Sequence, residues 1–122
     1  MSRVVKCAHI QASNAKHDGT PAEIKEAMIQ KHIPLIEEAG KKGVNILCLQ
    51  EIFYGPYFPA EQDIKWYSTA EPVPGPTTER MAEYAKKYQM VMIIPVYEME
   101  IDGVYYNTAA VIDADGAYLG KF

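Results

Sequence analysis

The segment Val44-Asn-Ile-Leu-Cys-Leu-Gln50 constrains this chain more than any other part of it. It is short and mostly apolar, and it comes straight after a stretch carrying helix signals. Such a run reads as a strand, and a strand fed by a helix fits a βαβ-type step. The helix is announced at its start: Thr20 stands at the N-cap, Pro21 at the first helical position, and Glu23 three residues after the cap. That is a capping box, with proline where its missing N–H costs least. Ile24, Met28, Leu35 and Ala39 mark an apolar face, with Ala27 and Ile36 beside it. Pro34 lies inside the pattern and is expected to kink or divide the helix. Gly40 and Gly43 bracket its exit.

The remaining elements follow from the same rules. Residues 4–11 read as a strand, apolar on both faces, as in a strand covered on each side. Residues 63–70 suit a short helix, and Glu71-Pro-Val-Pro-Gly-Pro76 a rigid connector. A second helix spans about 76–89, with Met81, Ala85 and Tyr88 as its buried stripe. A third strand spans 90–96, where Pro95 predicts a bulge or a strand end. Asp102-Gly103 signals a hairpin turn into a fourth strand over 104–112. Asp113-Ala-Asp-Gly116 is another tight turn, and a fifth strand begins at Tyr118. The order predicts an α/β fold with one sheet covered by two helices. Leu119-Gly-Lys-Phe122 is not a polar linker, so residues 1–122 are expected to be the N-terminal part of one domain, truncated within a strand.

Composition narrows the function classes. An apolar share of 48% argues against disorder. A net charge of −4, with no run of Lys or Arg longer than two, gives no footprint for nucleic acid. No segment has the apolar length of a signal peptide or a membrane span, so a cytoplasmic protein with no membrane partner is expected. Cys7 and Cys48 lie in apolar runs and read as reduced core thiols.

In open α/β sheets, ligands bind beyond the carboxyl ends of strands. Glu51 stands at such an end. Phe53, Tyr54, Tyr57 and Phe58 follow it and are expected to shield its carboxylate from water, which suits an acid to take a proton. The plain alternative is a solvated acid. His9, His17 and His32 lack metal-ligand spacing and read as a satisfied strand histidine, a loop residue and a helix-surface residue. Asp113 and Asp115 lack the further oxygen ligands of a calcium loop. No metal site and no phosphate-binding glycine loop is expected. Most of the nine tyrosines read as packing residues with polar tips.

Gly43-Val-Asn-Ile-Leu-Cys-Leu-Gln-Glu51 resembles the nitrilase superfamily of carbon–nitrogen hydrolases. Other pieces match in order: Ile52-Phe-Tyr-Gly-Pro-Tyr-Phe58, Ala70-Glu-Pro-Val-Pro-Gly-Pro-Thr-Thr78, Ile94-Pro-Val-Tyr-Glu98, and Tyr106-Asn-Thr-Ala-Ala-Val-Ile-Asp-Ala-Asp-Gly116 with Leu119-Gly-Lys-Phe122. The resemblance spans nearly the whole chain. It implies a four-layer αββα sandwich, of which this chain supplies the N-terminal portion. It also implies a Glu–Lys–Cys triad in which Glu51 is the catalytic general base. The catalytic lysine would lie just beyond Phe122, leaving Lys121 a structural role. The nucleophilic cysteine comes later still, so neither Cys7 nor Cys48 matches it. No cofactor is implied. The substrate would be a small N-carbamoyl amine or amino acid, N-carbamoyl-β-alanine favoured and N-carbamoylputrescine the alternative. Tyr54 and Tyr57 are the candidates for lining its pocket from this half. The complete protein would be a homo-oligomer. A reading from another class is a non-catalytic α/β binding module; within the family, an amide-forming or nitrile-cleaving member is the rival.

Overall fold

The computed structural model describes residues 3–122. Its elements, in chain order, are β1 (Cys7–Ile10), α1 (Pro21–Lys41), β2 (Ile46–Leu49), two 3-10 turns (Phe58–Ala60 and Ile64–Thr69), α2 (Pro76–Tyr88), β3 (Val91–Ile101), β4 (Val104–Ile112) and β5 (Tyr118–Lys121). The strands form one sheet in the order β1-β2-β3-β4-β5. β1, β2 and β3 run parallel, and β4 and β5 antiparallel. The α/β fold expected from the sequence is the fold observed.

Helix α1 begins as its capping box dictates. Thr20 Oγ1 accepts from the Glu23 N–H at 3.2 Å, and Glu23 accepts from the Thr20 N–H at 3.0 Å. Pro34 does not divide the helix, which continues unbroken to Lys41. Pro34 and Gln30 are both exposed, so the carbonyl that loses its partner at this proline faces water. Gly40 does not end the helix either. A Cβ there would lie 2.2 Å from the Tyr88 ring, so α1 and α2 meet at bare backbone. Gly43, with φ +70°, turns the chain into β2.

The strand registers put Leu47 beside Met92 and Ala8, and Ile94 opposite Ala110. These residues share the face covered by α1 and α2, and most are fully buried with Ile36, Met81 and Ala85 from the helices. The other face is not covered. Cys7 and His9 are exposed there, while Ile46, Cys48, Val91, Ile93 and Val111 are half-buried. This corrects the expectation of a first strand covered on both faces: β1 starts only at Cys7, and Val4 and Val5 are exposed. It also corrects His9, which is exposed on the open face.

Pro95 neither ends β3 nor bulges it. Ala109, opposite it, exchanges both backbone hydrogen bonds with Phe122, just past the end of β5. Pro95 therefore occupies a non-hydrogen-bonded pair with β4, and its missing N–H falls on the edge where β2 has already stopped. The irregularity in this ladder lies instead between Met99 and Ile101, just before the Asp102-Gly103 turn. Gly103, with φ +83°, takes the one left-handed position of this turn, which follows that irregularity and suits a residue without a Cβ.

Candidate active site

At the end of β2 the chain reverses over residues 51–54. Gln50 is buried, and its side chain accepts from the Ala12 N–H at 2.5 Å. Ile52 then adopts φ +43°, a left-handed conformation uncommon for a β-branched residue. The reversal sends Ile52, Phe53 and Tyr54 into the core and leaves Glu51 outside it. The Phe53 N–H donates to the Pro95 carbonyl at 3.2 Å, tying the turn to β3.

Glu51 lies in a cleft of about 420 Å³ whose walls include Tyr57, Phe58, Tyr67, Tyr105 and Asn107. Its Oε1 accepts from the Asn107 side-chain amide at 2.6 Å. The aromatic wall is continuous: Phe58 packs on Tyr97 at 4.7 Å between centroids, Tyr97 stacks on Tyr105 at 5.4 Å, and Tyr105 stacks on Tyr67 at 4.7 Å. The two 3-10 turns carry Phe58 and flank the wall through Tyr67. The Tyr97 hydroxyl is pushed up from its ordinary range by burial and by the neighbouring Tyr67 and Tyr105.

The sequence-based candidates divide here. Tyr57 lines the cleft and is exposed. Tyr54 does not line it: the ring is buried in the core, and the hydroxyl is bound to the backbone of Tyr97. Phe53 is likewise core, so of the four aromatic residues expected to shield Glu51 only Tyr57 and Phe58 reach the cleft. Glu51 itself remains exposed among the described residues. Cys7 and Cys48 are both free and neither lines the cleft. Burial pushes the Cys48 thiol up, away from the thiolate a nucleophile needs. Among the described residues no group of three or more His, Cys, Asp or Glu side chains could hold a metal ion. None of the described helices is long and apolar enough to cross a membrane.

Three buried polar groups lie outside the cleft lining, in the framework behind it, and sequence reading missed them in these roles. Glu71 is buried beside β3 and bonds Lys25 Nζ at 2.5 Å, the Thr77 N–H at 2.8 Å and the Thr77 hydroxyl at 2.8 Å. A carboxylate at the first turn of α2 suits the exposed N–H groups and positive end of that helix. Just before α2 the connector folds closely on itself at Gly75, where a Cβ would lie 2.1 Å from the Pro72 carbonyl oxygen. Glu98 is buried on β3, accepts from the Thr108 hydroxyl at 2.6 Å and pairs with Lys121. That bond to Glu98 pushes the Lys121 ammonium above its ordinary range and gives Lys121 a structural contact. His32 is not on the helix surface. It is fully buried, edge-on to Phe53 at 5.1 Å, with Nδ1 bonded to the Met28 carbonyl and Nε2 without a partner. Asn107, the partner of Glu51, is a poor strand former in the middle of a strand, and Glu71 was hinted at as the acid of the Pro-rich connector that precedes a helix start. Nothing in the sequence distinguishes Glu98 or His32.

Residues 6–122 match the family model described as carbon-nitrogen hydrolase. The chain is 40% identical over 122 residues to a beta-ureidopropionase of Arabidopsis thaliana, covering 98% of this chain and 30% of that protein. It is 42% identical over 89 residues to an N-carbamoylputrescine amidase of Oryza sativa subsp. japonica, covering 72% of this chain and 29% of that protein. The chain thus spans about 30% of the length of the curated relatives it matches. A crystal structure of a carbon-nitrogen hydrolase from Helicobacter pylori G27 superposes with a TM-score of 0.80 at 24% identity, covering 97% of this chain and 38% of that one. The nitrilase-type fold expected from the sequence is therefore the one this chain shares, and the chain belongs to the carbon–nitrogen hydrolase family.

Proposed function

We propose that the complete protein hydrolyses the terminal ureido group of a small N-carbamoyl compound, with Glu51 as general base. N-carbamoyl-β-alanine is the favoured substrate and N-carbamoylputrescine the alternative. The observation that carries the reading is the position of Glu51 at the carboxyl end of β2, its carboxylate in an aromatic cleft and held on one oxygen by Asn107. The likeness to a beta-ureidopropionase over nearly the whole chain supports the choice of substrate.

In this scheme Glu51 takes the proton from a cysteine thiol, which ionises too weakly near neutral pH to act unaided. The thiolate attacks the carbamoyl carbon. A lysine ammonium and a backbone N–H stabilise the resulting oxyanion. Glu51 returns the proton to the departing ammonia or amine, and then activates the water that cleaves the resulting S-carbamoyl (thiocarbamate) intermediate. By the family resemblance, the lysine and the nucleophilic cysteine of this scheme are residues other than Lys121, Cys7 and Cys48. The scheme needs no metal or organic cofactor.

Glu51→Gln in the complete protein tests the reading. The amide is nearly isosteric and still accepts from Asn107, but it cannot take the thiol proton. Turnover of both N-carbamoyl substrates should vanish with the melting temperature unchanged. Near-normal hydrolysis by that variant would count against Glu51, and binding without turnover by the unaltered protein would favour a non-catalytic module.

A further inference from the structure

We infer that Tyr54 is the positioning residue for Glu51, its hydroxyl anchoring the left-handed turn that holds the acid in the cleft. The inference rests on Glu51 being the general base. β2 stops pairing with β3 at Cys48 and Ile93. Farther along that edge of β3, the Glu71 N–H reaches the Tyr97 carbonyl at 3.1 Å and forms a parallel bridge. Between them the edge is closed by the turn alone. Phe53 N–H takes the Pro95 carbonyl, and the Tyr54 hydroxyl takes the Tyr97 N–H at 2.9 Å. The same hydroxyl donates to the Tyr97 carbonyl at 2.9 Å. One side-chain oxygen thus serves both backbone groups of the residue whose ring stands in the aromatic wall. Tyr54 thereby fixes Glu51 and that wall relative to each other.

The Tyr54 ring is itself gripped. Lys25 Nζ lies 4.2 Å from its centroid, and Phe53 stacks on it at 5.6 Å. Burial pushes the hydroxyl far above its ordinary value, so it stays protonated and able to donate. The turn needs such an anchor, because Ile52 at φ +43° is in a conformation a β-branched residue leaves unless its surroundings hold it. Losing the hydroxyl frees the turn to relax and shifts Glu51 against Asn107.

The test is Tyr54→Phe in the complete protein, which keeps the ring and removes one oxygen. We expect kcat to fall on the order of 10-fold to 100-fold with KM within about twofold, the signature of a displaced catalytic group. Ile36→Val, a core variant away from the turn, should retain kcat at a comparable loss of melting temperature. A second readout needs no activity: the Asn107 side-chain amide resonances should move toward their positions in Glu51→Gln. Undiminished kcat in Tyr54→Phe, or an unmoved Asn107 signal, overturns the inference. An inactive unaltered protein would instead sink the functional reading, and the Asn107 signal would still decide the role of Tyr54. If Tyr54→Phe does not fold, Ile52→Gly probes the same turn by removing the left-handed penalty and loosening the backbone. It must show the same loss of kcat and the same shift.

Discussion

The Asn107 side-chain amide donates to Glu51 at 2.6 Å, joining the middle of β4 to the end of β2 across the intervening β3. One carboxylate oxygen is fixed and the other is left to face the cleft. A hydrogen bond to a charged group is stronger than a neutral one and holds its partner in one orientation. Asn107→Ala should therefore lower kcat/KM about tenfold, near the value of one charge-assisted hydrogen bond. Asn107→Asp should be worse, because it sets a second negative charge against Glu51. Steady-state kinetics check this, and equal kcat/KM in Asn107→Ala and the unaltered protein would show the bond to be idle.

Lys25 and Glu71 bind α1 to the start of α2 through a largely buried ion pair, with side chains 20% and 7% exposed. Lys25 also reaches the Thr69 carbonyl at 2.9 Å. Removing one partner of a buried pair leaves a charge with too little to answer it, at a cost of about 3 kcal/mol. Lys25→Met should lower the unfolding free energy by that amount, read as a lower urea midpoint at unchanged slope, and Glu71→Gln by less, since the amide keeps a carbonyl for Thr77. The double variant should lose less than the two single losses added together. Additive losses would mean that the two residues act separately.

How far the sequence reveals this depends on the range over which each feature is determined. The capping box of α1, the Asp102-Gly103 hairpin and β4 over Val104–Ile112 were legible because neighbouring residues decide them. The effect of Pro95 was misread because it depends on what lies beside β3. β2 ends too early to need the missing N–H, a fact about pairing and not about residues 90–96. Glu51 was legible as an acid at the end of a strand, where β2 places it. Tyr54 was misplaced because a left-handed Ile52 swings residues 52–54 into the core, and nothing in Glu-Ile-Phe-Tyr announces φ +43°. Asn107 and Glu51 are 56 positions apart, and only the sheet order brings them together.

His32 makes stability sensitive to mild acid. Burial holds its imidazole below the ordinary value of 6.5. Below that value the unfolded chain binds a proton that the folded state resists, so stability falls as pH drops from 6.5 toward the lower folded value. The loss levels off once the folded state is protonated as well. The urea midpoint should therefore decline between pH 7 and pH 5. In His32→Leu, which fills the same space without a titrating ring, that decline should be smaller. Parallel declines in the two proteins would show that His32 does not set the acid response.

The uncovered face of the sheet presents Ile46, Cys48, Val91, Ile93 and Val111 as one half-buried apolar surface, flanked by Cys7 and His9 on β1. Apolar area of this kind, on a sheet whose edge strands are also open, favours association with another surface. Residues 1–122 produced alone should therefore self-associate at micromolar concentration, which sedimentation velocity would detect. Ile93→Lys in that fragment should reduce the association, because a charge on the face cannot be buried against a copy of itself. The same substitution in the complete protein should do the opposite of help. If a second sheet covers this face, as the four-layer sandwich implies, the lysine is forced into an interior and the melting temperature falls. A monomeric fragment, together with a complete protein indifferent to Ile93→Lys, would mean that this face stays in water in both.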